Sequence, residues 1–141
     1  MQRMRFVKDF DLPPERVFGF FAEHENMDVI LGAEITRLRD GDDGSRNGVG
    51  SARRLKPPGP VPAFEETVTA FVPNELIEYR VTKGTPLNHH LGTITFTPAG
   101  SRTHLEWNIE IGTRLPGLDF IIAKVLVKNI GGGLDRAAIP A

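Results

Sequence analysis

The chain has no cysteine among its 141 residues. This excludes a disulfide framework, thiolate metal ligands and a cysteine nucleophile. No charge of either sign is in excess: 17 basic residues face 18 acidic ones, for a net charge of -1. A general nucleic-acid binder would carry a basic surplus, so that class is not expected. No apolar run approaches the roughly 18 residues that span a bilayer, so no membrane span is expected. The opening stretch MQRMRFVKDF has no apolar core. It therefore predicts no secretory signal peptide, and a cytoplasmic location is the expectation. Nucleotide motifs are missing as well. Gly48-Val49-Gly50 lacks a third glycine and opens a strand, and Gly131-Gly132-Gly133 is not followed by Lys and Ser/Thr at phosphate-loop spacing. There is no Gly-x-Ser-x-Gly elbow. Asp40, Asp42 and Asp43 begin like a calcium loop, but Ser51 stands where the closing glutamate belongs. They read as a solvated hairpin tip. No cofactor and no metal are called for.

What is present fits one domain over residues 1–141. Residues 3–11 alternate as a strand. Pro13-Pro14-Glu15 then opens a short, very apolar helix carrying Val17, Phe18, Phe20 and Phe21, and residues 25–31 add a second helical turn. From residue 34 the pattern is strands and turns: 34–39, 49–56, 62–72, 76–82, 89–97 and 102–112. Asp, Gly, Pro and Asn punctuate them. The last strand alternates most cleanly, with Leu105, Trp107, Ile109 and Ile111 against His104, Glu106, Asn108 and Glu110. Residues 116–138 close the chain. There Leu118, Ile121, Ile122, Val125, Leu126 and Ile130 recur at helical spacing. The reading adopted for Gly131-Gly132-Gly133 is that the helix weakens or ends near Ile130. The alternative is that the glycines admit another backbone or a ligand. Short connections imply an antiparallel meander, so the class is α+β. A long apolar helix after many strands must bury its stripe on the sheet.

These residues carry a resemblance. The opening Pro13-Pro14-Glu15-Arg16-Val17-Phe18 and the middle Val49-Gly50-Ser51 resemble the START-like helix-grip (SRPBCC) superfamily. So do Val72-Pro73-Asn74 with Leu76 and Tyr79, the run from Gly92 to Pro98, and Thr103-His104-Leu105-Glu106-Trp107. The polyketide cyclase/dehydrase and lipid-transport subfamily is the most similar. The resemblance implies a helix-grip fold, in which a curved antiparallel sheet of about seven strands wraps the C-terminal helix, with two short helices after the first strand. It also implies a cavity between sheet and helix that takes a lipid, a polyketide or another apolar or aromatic molecule. No invariant catalytic set comes with it.

Strand parity then selects candidates. Phe64, Val68, Ile94, Phe96, Trp107 and Ile109 are expected to line the cavity from the sheet, with Leu118, Ile122, Val125 and Leu126 from the helix. The inward polar set is Glu66, Tyr79 and His90. A desolvated carboxylate, an imidazole and a phenol suit enolisation and dehydration, which makes them the candidate catalytic residues of a cyclase or dehydratase. The competing reading pairs Glu66 with Arg53 or Arg54, as buried charge requires. His89 and His90 point to opposite faces and cannot share a metal ion. His24 and His104 are expected at the surface. Phe21 and Met27 are either core residues or gates at the cavity mouth. Three functions stay open: binding of an apolar ligand, an enzyme on the same cavity, or an apolar groove that receives a protein segment. A homodimer through a sheet edge is equally open.

Overall fold

The computed structural model describes residues 1–60, 62–84 and 86–140. Thr85, within the turn expected over residues 83–88, lies outside them. The elements run β1 (Gln2–Phe10), α1 (Pro14–Ala22), a 3-10 turn (His24–Asn26), α2 (Met27–Leu31), β2 (Glu34–Arg39), β3 (Ala52–Lys56), β4 (Phe64–Val72), β5 (Leu76–Lys83), β6 (Leu87–Ala99), β7 (Arg102–Thr113) and α3 (Leu118–Arg136). Seven strands make one curved antiparallel sheet in the order β1-β7-β6-β5-β4-β3-β2, with α3 against it: an α+β helix-grip fold. Each strand from β2 to β6 pairs with the next in sequence, as short connections dictate, and β1 closes against β7.

The period-two pattern of β7 is realised in full. Leu105, Trp107, Ile109 and Ile111 are at most 2% exposed on the concave face. Their alternates pair with β1 on the outer face, where Arg5 bonds Glu106 at 2.7 Å and His104 bonds Asp9 at 2.7 Å. Parity in β4 is less simple. Phe64, Glu66 and Val68 share the concave face, but Phe71 is an odd number of residues away. A register shift between Val68 and Ala70 resolves this, since the extra residue of a bulge turns Phe71 inward. Phe71 then meets Phe18 of α1, with ring centroids 5.1 Å apart. Phe18 and Phe21 both pack on Phe96, and Phe21 also packs on Trp107. Phe21 and Met27 are buried core residues, not gates.

Two expectations are corrected. His24 is 2% exposed rather than at the surface, because the 3-10 turn folds it over the start of β3. The helix α3 does not end near Ile130 but runs through the three glycines to Arg136. The reason is packing. A Cβ on Gly133 would collide with the backbone of Ile30, so the missing side chain lets α2 lie directly on α3. Along its length α3 touches β1, β7 and α2, and α2 in turn touches β2. The helices thus bridge the two edge strands of the sheet. No helix among the described residues is long and apolar enough to cross a membrane.

Candidate functional site

A polar layer crosses the concave wall of the sheet. It begins with Arg37 on β2, which bonds Glu23 and Glu25 at 2.7 and 2.9 Å and so ties down the 3-10 turn. Those bonds hold the Glu25 carboxyl down to about 2. The turn thereby sets His24 over β3, with Nε2 2.9 Å from Ser51 Oγ and Nδ1 3.4 Å from Arg53 Nη1. A guanidinium only donates, so the His24 nitrogen facing it accepts, and the proton sits on Nε2 and points at Ser51. The Ser–His contact is therefore a structural hydrogen bond and not a nucleophile–base dyad, which needs the reverse polarity. Burial and the neighbouring Arg53 lower the His24 pKa to about 3, so the ring is neutral.

Arg53 faces Glu66 across the β3–β4 pairing. Its Nε and Nη2 both donate to Glu66 Oε1, at 2.9 and 2.7 Å, and both residues are buried. The pairing that buried charge requires is the one found, with Arg53 rather than Arg54. No bond to Glu66 Oε2 occurs among those of the described residues. Arg53 also lies over the Tyr79 ring, 5.4 Å from its centroid.

Tyr79 is the centre of the layer. It sits opposite Gly92 on β6, and a Cβ there would fall inside the phenol ring. The glycine thus lets the ring lie flat across β6, where its hydroxyl accepts a 2.9 Å bond from Trp107 Nε1. Burial raises the Tyr79 pKa, and the Glu66 charge raises it further, so the hydroxyl keeps its proton as a donor. His90 stands on the other side, with ring centroids 5.4 Å apart. The β5–β6 ladder ends at Tyr79 and Gly92, although β5 runs on to Lys83 and β6 starts at Leu87. Across the splayed gap the Val81 N–H donates to His90 Nδ1 at 3.0 Å. The other ring nitrogen, Nε2, therefore bears the proton of the neutral ring. Burial lowers the His90 pKa, with Glu66 opposing.

Of the expected trio, Tyr79 and His90 are in ring contact, and Glu66 adjoins them through Arg53, which lies over the Tyr79 ring. Tyr79 and His90 offer donors, and Glu66 is engaged by Arg53. Sequence reasoning missed His24 and Ser51, whose contact joins residues 27 apart and left no local signal. The expected lining residues divide. Val68, Ile94, Phe96, Trp107 and Ile109 are at most 5% exposed within the packed core. Phe64, Leu118, Ile122 and Leu126 are half-buried, and Val125 is 54% exposed. Cavities among the described residues lie elsewhere. One, of about 600 Å³, lies between the end of α2 and the β2–β3 edge, beside Val29, Ala33, Lys56 and Pro57. Another, of about 190 Å³, fills the β5–β6 gap beside Arg80, Asn88, His89 and His90. Among the described residues no group of His, Asp or Glu is placed to hold a metal ion.

A seven-stranded sheet gripping a C-terminal helix over an inward polar layer defines a START-like protein of the ligand-binding or cyclase type. The chain belongs to the family described as polyketide cyclase / dehydrase and lipid transport, whose model matches residues 1–138. Solved structures agree in fold. A START superfamily protein from Mycobacterium smegmatis superposes with a TM-score of 0.75 at 15% identity, covering 94% of each chain. The Zhui aromatase/cyclase from Streptomyces sp. R1128 gives 0.72 at 16%, covering 94% of this chain and 87% of its own. Norcoclaurine synthase from Thalictrum flavum gives 0.71 at 13%, covering 94% and 81%. No curated protein matches the chain.

Proposed function

We propose that the protein binds a small apolar or aromatic molecule between the concave wall of the sheet and the N-terminal half of α3. One observation carries this reading. Residues 11 apart on a helix lie within about 20° of one face, from 3.6 residues per turn. Ile122 and Val125 therefore continue the stripe of Gly133 and Arg136, which meets α2 through Ile30 and the Val29 carbonyl. Beyond the end of α2 that stripe loses its cover, and Val125 stands 54% exposed. A ligand there would bury Phe64, Leu118, Ile122, Val125 and Leu126, at roughly 25 cal/mol per Å² before ordering costs. The Tyr79 hydroxyl and His90 Nε2–H would orient a carbonyl or hydroxyl group on it.

A second reading, ring closure or dehydration at the same place, is favoured by the Tyr79–His90 contact. In it the two donors polarise a carbonyl. Glu66 Oε2 is left as the group to take a proton.

Native mass spectrometry of the purified protein, with titration of 8-anilinonaphthalene-1-sulfonate, tests the binding reading. A copurified apolar compound, or dye binding that Val125→Trp abolishes without lowering the melting temperature, supports it. Dye binding untouched by Val125→Trp and Ile122→Trp, with nothing copurified, rules it out. For the enzyme reading, His90→Phe should retain dye binding and lose turnover.

A further inference from the structure

The outer surface of α3 is unlike the rest of the molecule. Five of the eleven large apolar side chains exposed among the described residues fall between residues 115 and 127: Leu115, Phe120, Ile121, Val125 and Val127. Exposed apolar side chains clustered in this way ordinarily mark a surface that meets something, and among the described residues α3 packs chiefly on β1, β7 and α2, which leaves these side chains outside. The charges around these side chains are mostly basic, with Asp135 the exposed acidic residue two turns further along α3. Arg114, Lys124 and Lys128 are exposed, and the single acidic residue from 114 to 128 is Asp119, whose side chain is only 14% exposed. Lys124 Nζ lies 4.9 Å from the centre of the Phe120 ring, so cation and aromatic sit in one patch.

We infer that this face of α3 docks on the surface of an anionic lipid bilayer. The chemistry fits from both sides. At 100° per residue, Phe120 and Val127 flank the lysines on one side, and Ile121 flanks them on the other. A helix lying in the interfacial plane places such apolar flanks at the level of the upper acyl chains. Its lysines extend along their own methylenes to the phosphates. The surplus of cations draws the helix to anionic headgroups, while the overall charge of -1 gives the molecule no general attraction to them. A second copy of the chain fits less well, because two-fold contact across this patch sets Lys124 and Lys128 against their own equivalents.

The test is co-sedimentation of the whole chain with vesicles of equimolar phosphatidylcholine and phosphatidylglycerol, beside phosphatidylcholine alone, at low and raised salt. The expected result is binding to the anionic vesicles only, weakened by salt. Joint Lys124→Gln and Lys128→Gln substitution lowers the partition coefficient about thirtyfold, and Phe120→Ser lowers it at least about tenfold. Melting temperatures stay unchanged, since all three side chains are exposed. Absence of binding to anionic vesicles at low salt overturns the inference. So does binding that both variants retain. So, too, does a concentration-dependent dimer, seen by analytical ultracentrifugation, that Phe120→Ser dissolves. None of these three residues belongs to the proposed ligand contact, so failure here leaves that reading standing, and the reverse holds.

Discussion

The ring of Tyr79 occupies the volume that any side chain on Gly92 would need, and this makes Gly92 the most constrained residue of the polar layer. Gly92→Ala should displace the ring, break the 2.9 Å Trp107–Tyr79 bond and cost about 1–3 kcal/mol in urea unfolding, as overpacking does. The fluorescence of Trp107, the single tryptophan, reports the change directly. His24 makes a different prediction. Its pKa falls from 6.5 unfolded to about 3 folded, so between those values the unfolded chain binds a proton that the folded chain refuses. Stability from this site is therefore complete above pH 6.5 and declines as the pH drops toward 3, by up to about 1.4 kcal/mol per unit. His90 shifts in the same direction and adds to the decline. Urea midpoints measured across this range should show a slope that His24→Gln reduces. An acid limb unchanged in that variant would refute the assignment. At this scale strand parity was enough to expect Glu66, Tyr79 and His90 on the inward face, where the structure has Glu66 and Tyr79 buried and His90 against Tyr79. The sequence concealed His24, because burial there depends on Arg37 pinning a turn from a distant strand.

The glycines of α3 show what element-level signals can and cannot carry. Three consecutive glycines look the same to a propensity scale, yet they differ in surroundings. Gly133 faces the Ile30 backbone, while Gly131 has open space where its Cβ would stand. Two substitutions of one kind should therefore move stability in opposite directions. Gly131→Ala should stabilise by up to about 1 kcal/mol through helix propensity. Gly133→Ala should destabilise by about 1–3 kcal/mol or more by forcing α2 off α3. Equal effects in urea unfolding would show that the α2–α3 contact is not what sustains the helix beyond Ile130. The bulge in β4 is the parallel case in the sheet. The alternation of Phe64, Glu66 and Val68 was legible, but the flip at Phe71 was not. A bulge conforms to the partner strand, and the residues alone do not mark it.

Across the whole molecule, element order and class were readable because period-two strands, short polar turns and one long apolar helix each leave an independent trace. The expected grip of the curved sheet on the C-terminal helix is the one found. Within it α3 packs most closely on β1, β7 and α2, and α2 in turn packs on β2. Ile122 is left half-buried and Val125 exposed. If they meet a ligand, an apolar compound at one hundred times its dissociation constant should raise the unfolding free energy by about 2.7 kcal/mol, measured as a rise in melting temperature. Val125→Trp should remove that rise and keep the melting temperature of the unliganded protein.

One rung of the sheet is made by a side chain. Where β5 and β6 part, His90 Nδ1 stands in for the carbonyl that would otherwise receive the Val81 amide. A backbone carbonyl accepts at any ordinary pH, but an imidazolium has no lone pair to offer. This part of the sheet is thus fastened by a bond that one proton can undo. Hydrogen exchange at the Val81 amide should accelerate on acidification beyond the intrinsic trend of a peptide group, and His90→Phe should leave it fast at every pH. The seam between β5 and β6 is then the part of the sheet that acidification should loosen.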